Sequence, residues 1–320
     1  MAKLQSPRPV RSLRLPAKTE GFVLEAAYDI SVSRGELPPP LRPYVHEYYE
    51  VGFEVPAGRP LRVPVSATTD PALNVTLTGS VTVRIGYGFR LPPVVLAGPQ
   101  PEAYTVEPSG AEPSGVVRGF YVRFTTVGPL ALLGVEDYSL GEHGVRPLHA
   151  MVRPSVRDAA RTWEAALLAA PTFAARVALT NRFLLDHGLP PDHREEPGPR
   201  VRLLQAAVAA IEQAGGNVRI GELARRLGVS ESTLRRHFGV LGMPPKRFAG
   251  VVRFRRAHAY LRTTPGATWA DVVARFGYAD QAHFVRDYRR FSGAPPTRWE
   301  LGPRAVDRRM GIEAPPREGD

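Results

Sequence analysis

Arg235 and Arg236 sit in a stretch whose residues Leu234, His237, Phe238 and Leu241 repeat at helical spacing. That spacing puts the two guanidinium groups, with Ser232 and Gly239, on the opposite face. About 50 residues later Phe284, Val285, Tyr288 and Phe291 mark a second such helix. Its outward positions are Ala282, His283, Arg286 and Arg290, with Gln281 in the first turn. An outward guanidinium can pair bidentately with the major-groove edge of guanine, and a glutamine amide with adenine.

Each presented helix needs a support that aims it. Ahead of the first, Ile220, Leu223, Ala224 and Leu227 form one apolar face, Gly228 suits a left-handed helix stop, and Ser230 can cap the helix that follows. Ahead of the second, Thr268-Trp-Ala-Asp271 matches a capping box, Val272, Val273 and Phe276 supply the apolar face, Gly277 makes the stop and Asp280 caps. The pattern helix, tight turn, helix therefore occurs twice. Between the two units Pro244-Pro245 starts a helix running to about Arg262, with Phe248, Val251, Val252, Phe254, Ala257 and Leu261 on its buried side. At 1.5 Å per residue it spans roughly 27 Å. That length suits two reading helices held about one DNA turn, roughly 34 Å, apart.

Charge singles out the same region. The chain of 320 residues carries a formal charge of +11. Residues 200–301 hold 18 Lys and Arg against 7 Asp and Glu, whereas residues 1–199 hold 20 of each and residues 302–320 hold 4 of each. Only Lys3, Lys18 and Lys246 are lysines, so arginine richness runs through the chain, but acidic residues balance it everywhere except in that segment. A polyanionic partner for the carboxy-terminal domain follows.

The segments Ile220 to Gly228, Ser230 to Phe238, Gly242-Met-Pro-Pro-Lys-Arg-Phe248, Val252-Arg-Phe-Arg-Arg-Ala257, Gly277-Tyr-Ala-Asp-Gln-Ala-His-Phe284 and Phe291-Ser-Gly-Ala-Pro-Pro296 together resemble the AraC/XylS family signature. The resemblance covers about 80 residues, Arg219 to Trp299. It implies a sequence-specific regulator of transcription, one protomer of which binds two successive major-groove segments of double-stranded DNA. Base reading is then expected at Ser232, Arg235 and Arg236 in the first unit, and at Gln281, Ala282, His283 and Arg286 in the second. Trp269 and Val272-Val273 depart from the family's usual sequence and Ala282 is a poor direct reader, so the second unit is expected to specify fewer bases. Arg225, Arg226, Lys246, Arg253, Arg255, Arg256, Arg289 and Arg290 are expected to meet phosphates, adding affinity without sequence information.

The remainder divides by composition. Residues 1–43 are rich in Pro, Arg and small residues and read as a loosely structured lead-in with one candidate strand at Gly21 to Tyr28. From residue 44 to about 126, short apolar or β-branched runs alternate with Gly and Pro, which predicts a β-rich, cupin-like sandwich or barrel. Helical periodicity in 154–170 and 173–187 adds two helices, expected to pack on the sheet or on a partner subunit, completing a regulatory, ligand-binding or dimerisation domain over 44–188. Residues 189–199, with four prolines, read as a linker, 200–301 as the all-α DNA-binding domain of two helix-turn-helix units, and 302–320 as a disordered tail.

In the β-rich domain Arg84, Tyr87, Tyr104, Tyr121 and Arg123 are candidate polar groups of an effector pocket. A small-molecule effector, a homodimer formed through the two helices, and RNA polymerase are the further expected partners. With no cysteine, thiolate metal sites, cysteine nucleophiles and methyl-accepting repair chemistry are excluded. His46, His143, His149, His187 and His193 are scattered without a His-x-His pair, and there is no Gly-rich phosphate loop or Gly-x-Ser-x-Gly elbow. The expectation is a cytoplasmic protein that is not an enzyme and has no cofactor, signal peptide or membrane span. Two alternatives stand beside it: a metal-dependent, enzyme-like amino-terminal domain fused to a DNA-binding module, and a non-specific architectural DNA binder.

Overall fold

The computed structural model describes residues 31–55, 62–85, 87–110, 115–138, 145–188, 198–264 and 266–296. In β9 (Val116–Phe124) the residues Phe120, Val122 and Phe124 are fully buried, while Tyr121 and Arg123 between them are half-exposed. This period of two is that of a strand whose faces meet different neighbours. β9 lies inside a six-stranded antiparallel sheet ordered β1 (Ser31–Gly35), β2 (Val45–Glu54), β9, β4 (Ala72–Thr78), β7 (Val94–Ala97), β10 (Val145–Arg146). A second antiparallel sheet is ordered β3 (Val63–Val65), β8 (Tyr104–Ser109), β5 (Ser80–Ile85), β6 (Tyr87–Arg90). The two-sheet division corresponds to the sandwich form of the sequence expectation.

The outer face of the larger sheet is covered from within the chain. After α1 (Gly128–Leu133) and α2 (Leu148–Met151), α3 (Arg157–Ala169) and α4 (Phe173–His187) join the sheet's buried residues through Trp163, Leu167, Val177 and Phe183. Trp163 and Phe183 stack with ring centroids 4.3 Å apart, and Phe173 meets Phe120 at 6.0 Å. Arg176 of α4 reaches Glu50 of β2 at 2.9 Å, both buried, which anchors the helix by a charge pair as well as by apolar contact. Because these apolar faces are covered by the chain's own sheet, they no longer argue for self-association. Leu168 is the one large hydrophobic side chain left exposed among the described residues.

Two other expectations change. Residues 31–43 are not a loose lead-in, since β1 pairs in register with β2, Ser31 opposite Gly52, and Leu41 in the following 3-10 turn is fully buried. The candidate strand Gly21–Tyr28, residues 189–197 of the expected linker and the tail lie outside the described residues.

Beyond residue 198 the described chain is helical: α5 (Pro199–Gln213), α6 (Ile220–Arg226), α7 (Glu231–Phe238), α8 (Pro245–Thr263), α9 (Trp269–Phe276) and α10 (Gln281–Ser292). The core of the first unit, including Leu204, Ile211, Leu223, Leu234, Phe238, Phe248 and Val252, is continuous with that of the β-rich domain. The first unit therefore has no core separate from that of the β-rich domain. The second unit has a separate core of Val251, Phe254, Ala257, Val272, Tyr278, Phe284, Tyr288 and Phe291, to which the β-rich domain contributes Ala67.

Within that second core His258 Nδ1 lies 2.7 Å from the Tyr288 hydroxyl and ties α8 to α10. Burial, with a further contribution from Arg262, pulls His258 down to about 4. An unfolded chain titrates near 6.5, so between these values it binds a proton that the folded chain does not. Stability is complete above about 6.5 and is lost as pH falls toward about 4, by on the order of 3 kcal/mol. Replacing His258 with Gln removes the titrating ring, so the thermal midpoint of that variant should fall less steeply across this window than the wild type's. Parallel pH profiles would contradict the assignment.

Candidate nucleic-acid interface

The first unit is built around a turn that glycine makes possible. α6 ends at Arg226 with Leu227 as its C-cap, Gly228 takes φ 68°, and Ser230 accepts a hydrogen bond from the Thr233 amide to start α7. Leu234 and Phe238 face the core, and Phe238 meets Phe248 of α8 edge-on at 5.5 Å. Ser232, Arg235 and Arg236 are consequently exposed. The Ser232 hydroxyl is 2.8 Å from that of Ser230, so it shares in the cap at the head of α7.

The second unit repeats the construction with a stronger cap. The Thr268 hydroxyl accepts from the Asp271 amide while Asp271 accepts from the Thr268 amide at 2.8 Å, a reciprocal capping box. Hydrogen bonds from the Thr268 side chain and amide hold the Asp271 carboxyl below the usual carboxylate range. Gly277 then takes φ 69°, and Asp280 accepts from the His283 amide at 2.6 Å to open α10. Phe284, Tyr288 and Phe291 are buried; Gln281, Ala282 and Arg286 are exposed. His283 differs from its expected freedom. Its Nδ1 lies 3.4 Å from the Ala279 amide and its Nε2 3.5 Å from Asp287, so it is folded back on its own helix.

The expected phosphate-facing cations separate into groups. Arg225, Arg226, Lys246 and Arg289 are exposed and make no ion pair among the described residues. Arg256 is half-buried and, with Arg275 and Asn217, lines a cleft of about 300 Å³ between the units. Arg275 and Asn217 carry no helix-face signal in the sequence, because the fold alone brings α5, α8 and α9 together there. Arg253, Arg255 and Arg290 are committed elsewhere. Arg253 lies 4.7 Å over the Tyr278 ring and 3.4 Å from Asp287. Arg255 binds buried Asp70 at 3.0 Å and the Thr69 hydroxyl at 3.1 Å, and Arg290 binds Glu102 at 3.0 Å. Arg255 and Arg253 each lie inside an ion pair and are less than half exposed. A single sequence could not show this, since the partners of Arg255 and Arg290 lie more than 180 residues away.

The effector-pocket candidates also divide. Tyr121 of β9 stacks on Tyr49 of β2 at 4.9 Å, and the pKa of Tyr49 is raised chiefly by burial, with smaller contributions from Tyr121, Glu47 and Tyr104 of the opposite sheet. Burial pushes both Tyr104 and Tyr121 up to about 12. Arg123, one step along the same face, binds Glu47 at 3.0 Å and lies 3.7 Å from Asp70. These three candidates thus share the space between the sheets. Arg84 does not: its guanidinium binds Glu107 beside Arg62 and is half-exposed, because its β5 neighbour Val83 takes the buried face. Tyr87 opens β6, and its side chain lies outside the described residues. Burial lowers the pKa of His46 despite nearby Asp70. Among the described residues no three His, Cys, Asp or Glu side chains group as metal ligands, and no helix is long and apolar enough to cross a membrane.

A family model described as a helix-turn-helix domain matches residues 223–301. No curated relative matches the chain. Among solved structures, the chain is similar to an apo variant of ToxT from Vibrio cholerae, with TM-score 0.42 and 9% identity over 79% of this chain and 97% of that one. It is also similar to a DNA-binding transcriptional dual regulator from Escherichia coli K-12, with TM-score 0.28 and 20% identity over 33% of this chain and 92% of that one. A cupin superfamily protein from Desulfitobacterium hafniense gives TM-score 0.23 and 12% identity over 36% and 99%.

The two turn glycines make a test of the construction. A Cβ at Gly277 would sit 2.8–3.0 Å from the Asn217 side chain, whereas one at Gly228 would meet nothing within 4 Å. Both positions have positive φ, which costs an L-residue about 1–2 kcal/mol. Gly228→Ala should lose about that amount in chemical denaturation, and Gly277→Ala should lose more because Asn217 must also move. Equal losses would mean that the Asn217 contact does not constrain the second turn.

Proposed function

We propose that the chain, whose residues 223–301 match a helix-turn-helix family model, is an AraC/XylS-type DNA-binding transcriptional regulator in which α7 and α10 each enter a major groove of one duplex. The observation that carries this reading is the repetition. Two capped helices, each following a left-handed glycine turn, present Arg236 and Arg286 outward in the one segment that holds the chain's excess positive charge. Ser232, Arg235 and Arg236 contact bases in the first segment, and Gln281 and Arg286 in the second. Ala282 contributes at most an apolar contact, and His283, held by Asp287, orients its helix rather than reading an edge. Arg225, Arg226, Lys246, Arg256 and Arg289 meet phosphates.

The β-rich domain is the control element. Its inter-sheet space, walled by Tyr49, Tyr104, Tyr121 and Arg123, combines aromatic surface with one cation and suits a small molecule that has an apolar body and a polar end. No catalytic step is assigned to it. Contact with RNA polymerase follows from the function of a transcriptional regulator, and pairing of two protomers on DNA would use surface other than the covered faces of α3 and α4.

Selection of preferred sites from a random DNA library tests the reading. Arg236→Ala and Arg286→Ala should each relax preference at one position, at a cost of about 1–3 kcal/mol. Arg225→Ala should weaken all sequences alike and lower the salt slope by about one. A selected motif unchanged by Arg236→Ala or Arg286→Ala overturns the assignment of the reading side chains.

A further inference from the structure

The two reading units are attached to the β-rich domain by seams of different chemistry. At the first unit the seam is apolar, because the two cores are one cluster, and the Tyr138 amide donates to the Val240 carbonyl at 2.8 Å just after α7. At the second unit the β-rich domain contributes, among the described residues, Ala67 to the core. Polar contacts accompany it. The Ala67 and Ala103 amides donate to the Phe291 and Arg290 carbonyls, at 2.7 and 3.3 Å, in the last turn of α10. Glu102 binds Arg290 at 3.0 Å and Arg247 at 2.9 Å, joining the end of α10 to the start of α8. Asp70, 6% exposed, binds Arg255 in the middle of α8.

We propose that Asp70 and Glu102 form a releasable clamp that holds the second reading unit against the β-rich domain and thereby sets its position relative to the first. Apolar burial has no discrete off state short of separating the surfaces, whereas an ion pair yields when either partner is offered a better one. Both carboxylates are placed for such exchange. Glu102 is more than half exposed, at the surface end of α10, where a DNA phosphate can compete for Arg290. Asp70 is shared: Arg123, on the wall of the inter-sheet space, lies 3.7 Å from the same oxygen that Arg255 binds at 3.0 Å. A molecule in that space that draws Arg123 changes the charge balance at Asp70, and with it the hold on α8. The clamp thus gives the regulatory domain a physical route to the spacing of the two helices, and in this it rests on the reading that both units contact DNA.

Amide exchange in the full-length chain tests the clamp without DNA. In Glu102→Gln, and more so in Glu102→Gln combined with Asp70→Asn, exchange at Ala67 and Ala103 should rise by about tenfold while Tyr138, on the apolar seam, stays at its wild-type rate. Unchanged exchange at Ala67 and Ala103, or an equal rise at Tyr138, overturns the proposal. If loss of buried Asp70 prevents folding, Glu102→Gln alone decides, since its side chain is exposed. A second arm measures binding to sites whose two half-segments are moved apart or together by one base pair. Wild type should prefer one spacing by about tenfold and the double variant by about twofold or less; an unaltered preference also overturns the clamp. Wild type that binds without any sequence preference would instead overturn the proposed DNA reading, and the exchange data would still decide the clamp.

Discussion

The arrangement of the DNA-binding half depends on α8 burying its apolar residues in two cores at once. Phe248, Ala249 and Val252 enter the core shared by the first unit and the β-rich domain; Val251, Phe254 and Ala257 enter that of the second unit. At successive 100° steps these residues occupy neighbouring strips of the helix surface, so one stiff element of 19 residues contacts both units and links the placement of one to that of the other. The helix consequently has little amphipathic contrast and reads in the sequence as a long apolar and arginine-rich stretch. Its arginines go where the apolar strips leave room: Arg253 and Arg256 toward the cleft and second turn, Arg255 toward the β-rich domain.

From this geometry follows the unequal treatment of the arginines. On the presented faces Arg235, Arg236 and Arg286 make no ion pair among the described residues, whereas Arg290 at the end of α10 pairs with Glu102. On α8, Arg247 and Arg255 pair with carboxylates of the β-rich domain and Arg253 with Asp287 of α10. Asp70 illustrates the energetics. Burial opposes its charge, and Arg255, His46 and Arg123 overcome that opposition, so its carboxyl lies below the usual carboxylate range. A buried carboxylate held by side chains from two domains stabilises one domain arrangement over others, and removing a partner leaves an expensive uncompensated charge.

Local features of the fold were legible in the sequence, and long-range ones were not. The Thr268-to-Asp271 capping box, the stops at Gly228 and Gly277 and the caps at Ser230 and Asp280 are encoded within four residues each, and all five occur in the structure. The periodicity of α3 and α4 was equally plain, but not what would cover them, since their cover is a sheet assembled from strands up to 126 residues away, as the Glu50–Arg176 pair shows. Strand β1 was missed because Ser31–Gly35 has little apolar alternation and gains its order from pairing with β2. Arg84 and Arg123 look alike as strand arginines. Only the register, which sets Arg123 opposite Glu47 between the sheets and Arg84 beside Glu107, separates them.

The account's central claim is that one protomer reads two successive major-groove segments with helices that α8 joins about one DNA turn apart. Methylation interference on a selected site, with the full-length chain, tests this most directly. The claim predicts two clusters of interfering guanines or adenines on one face of the duplex, their centres about 10 base pairs apart. A single cluster, or two clusters on opposite faces, would contradict it.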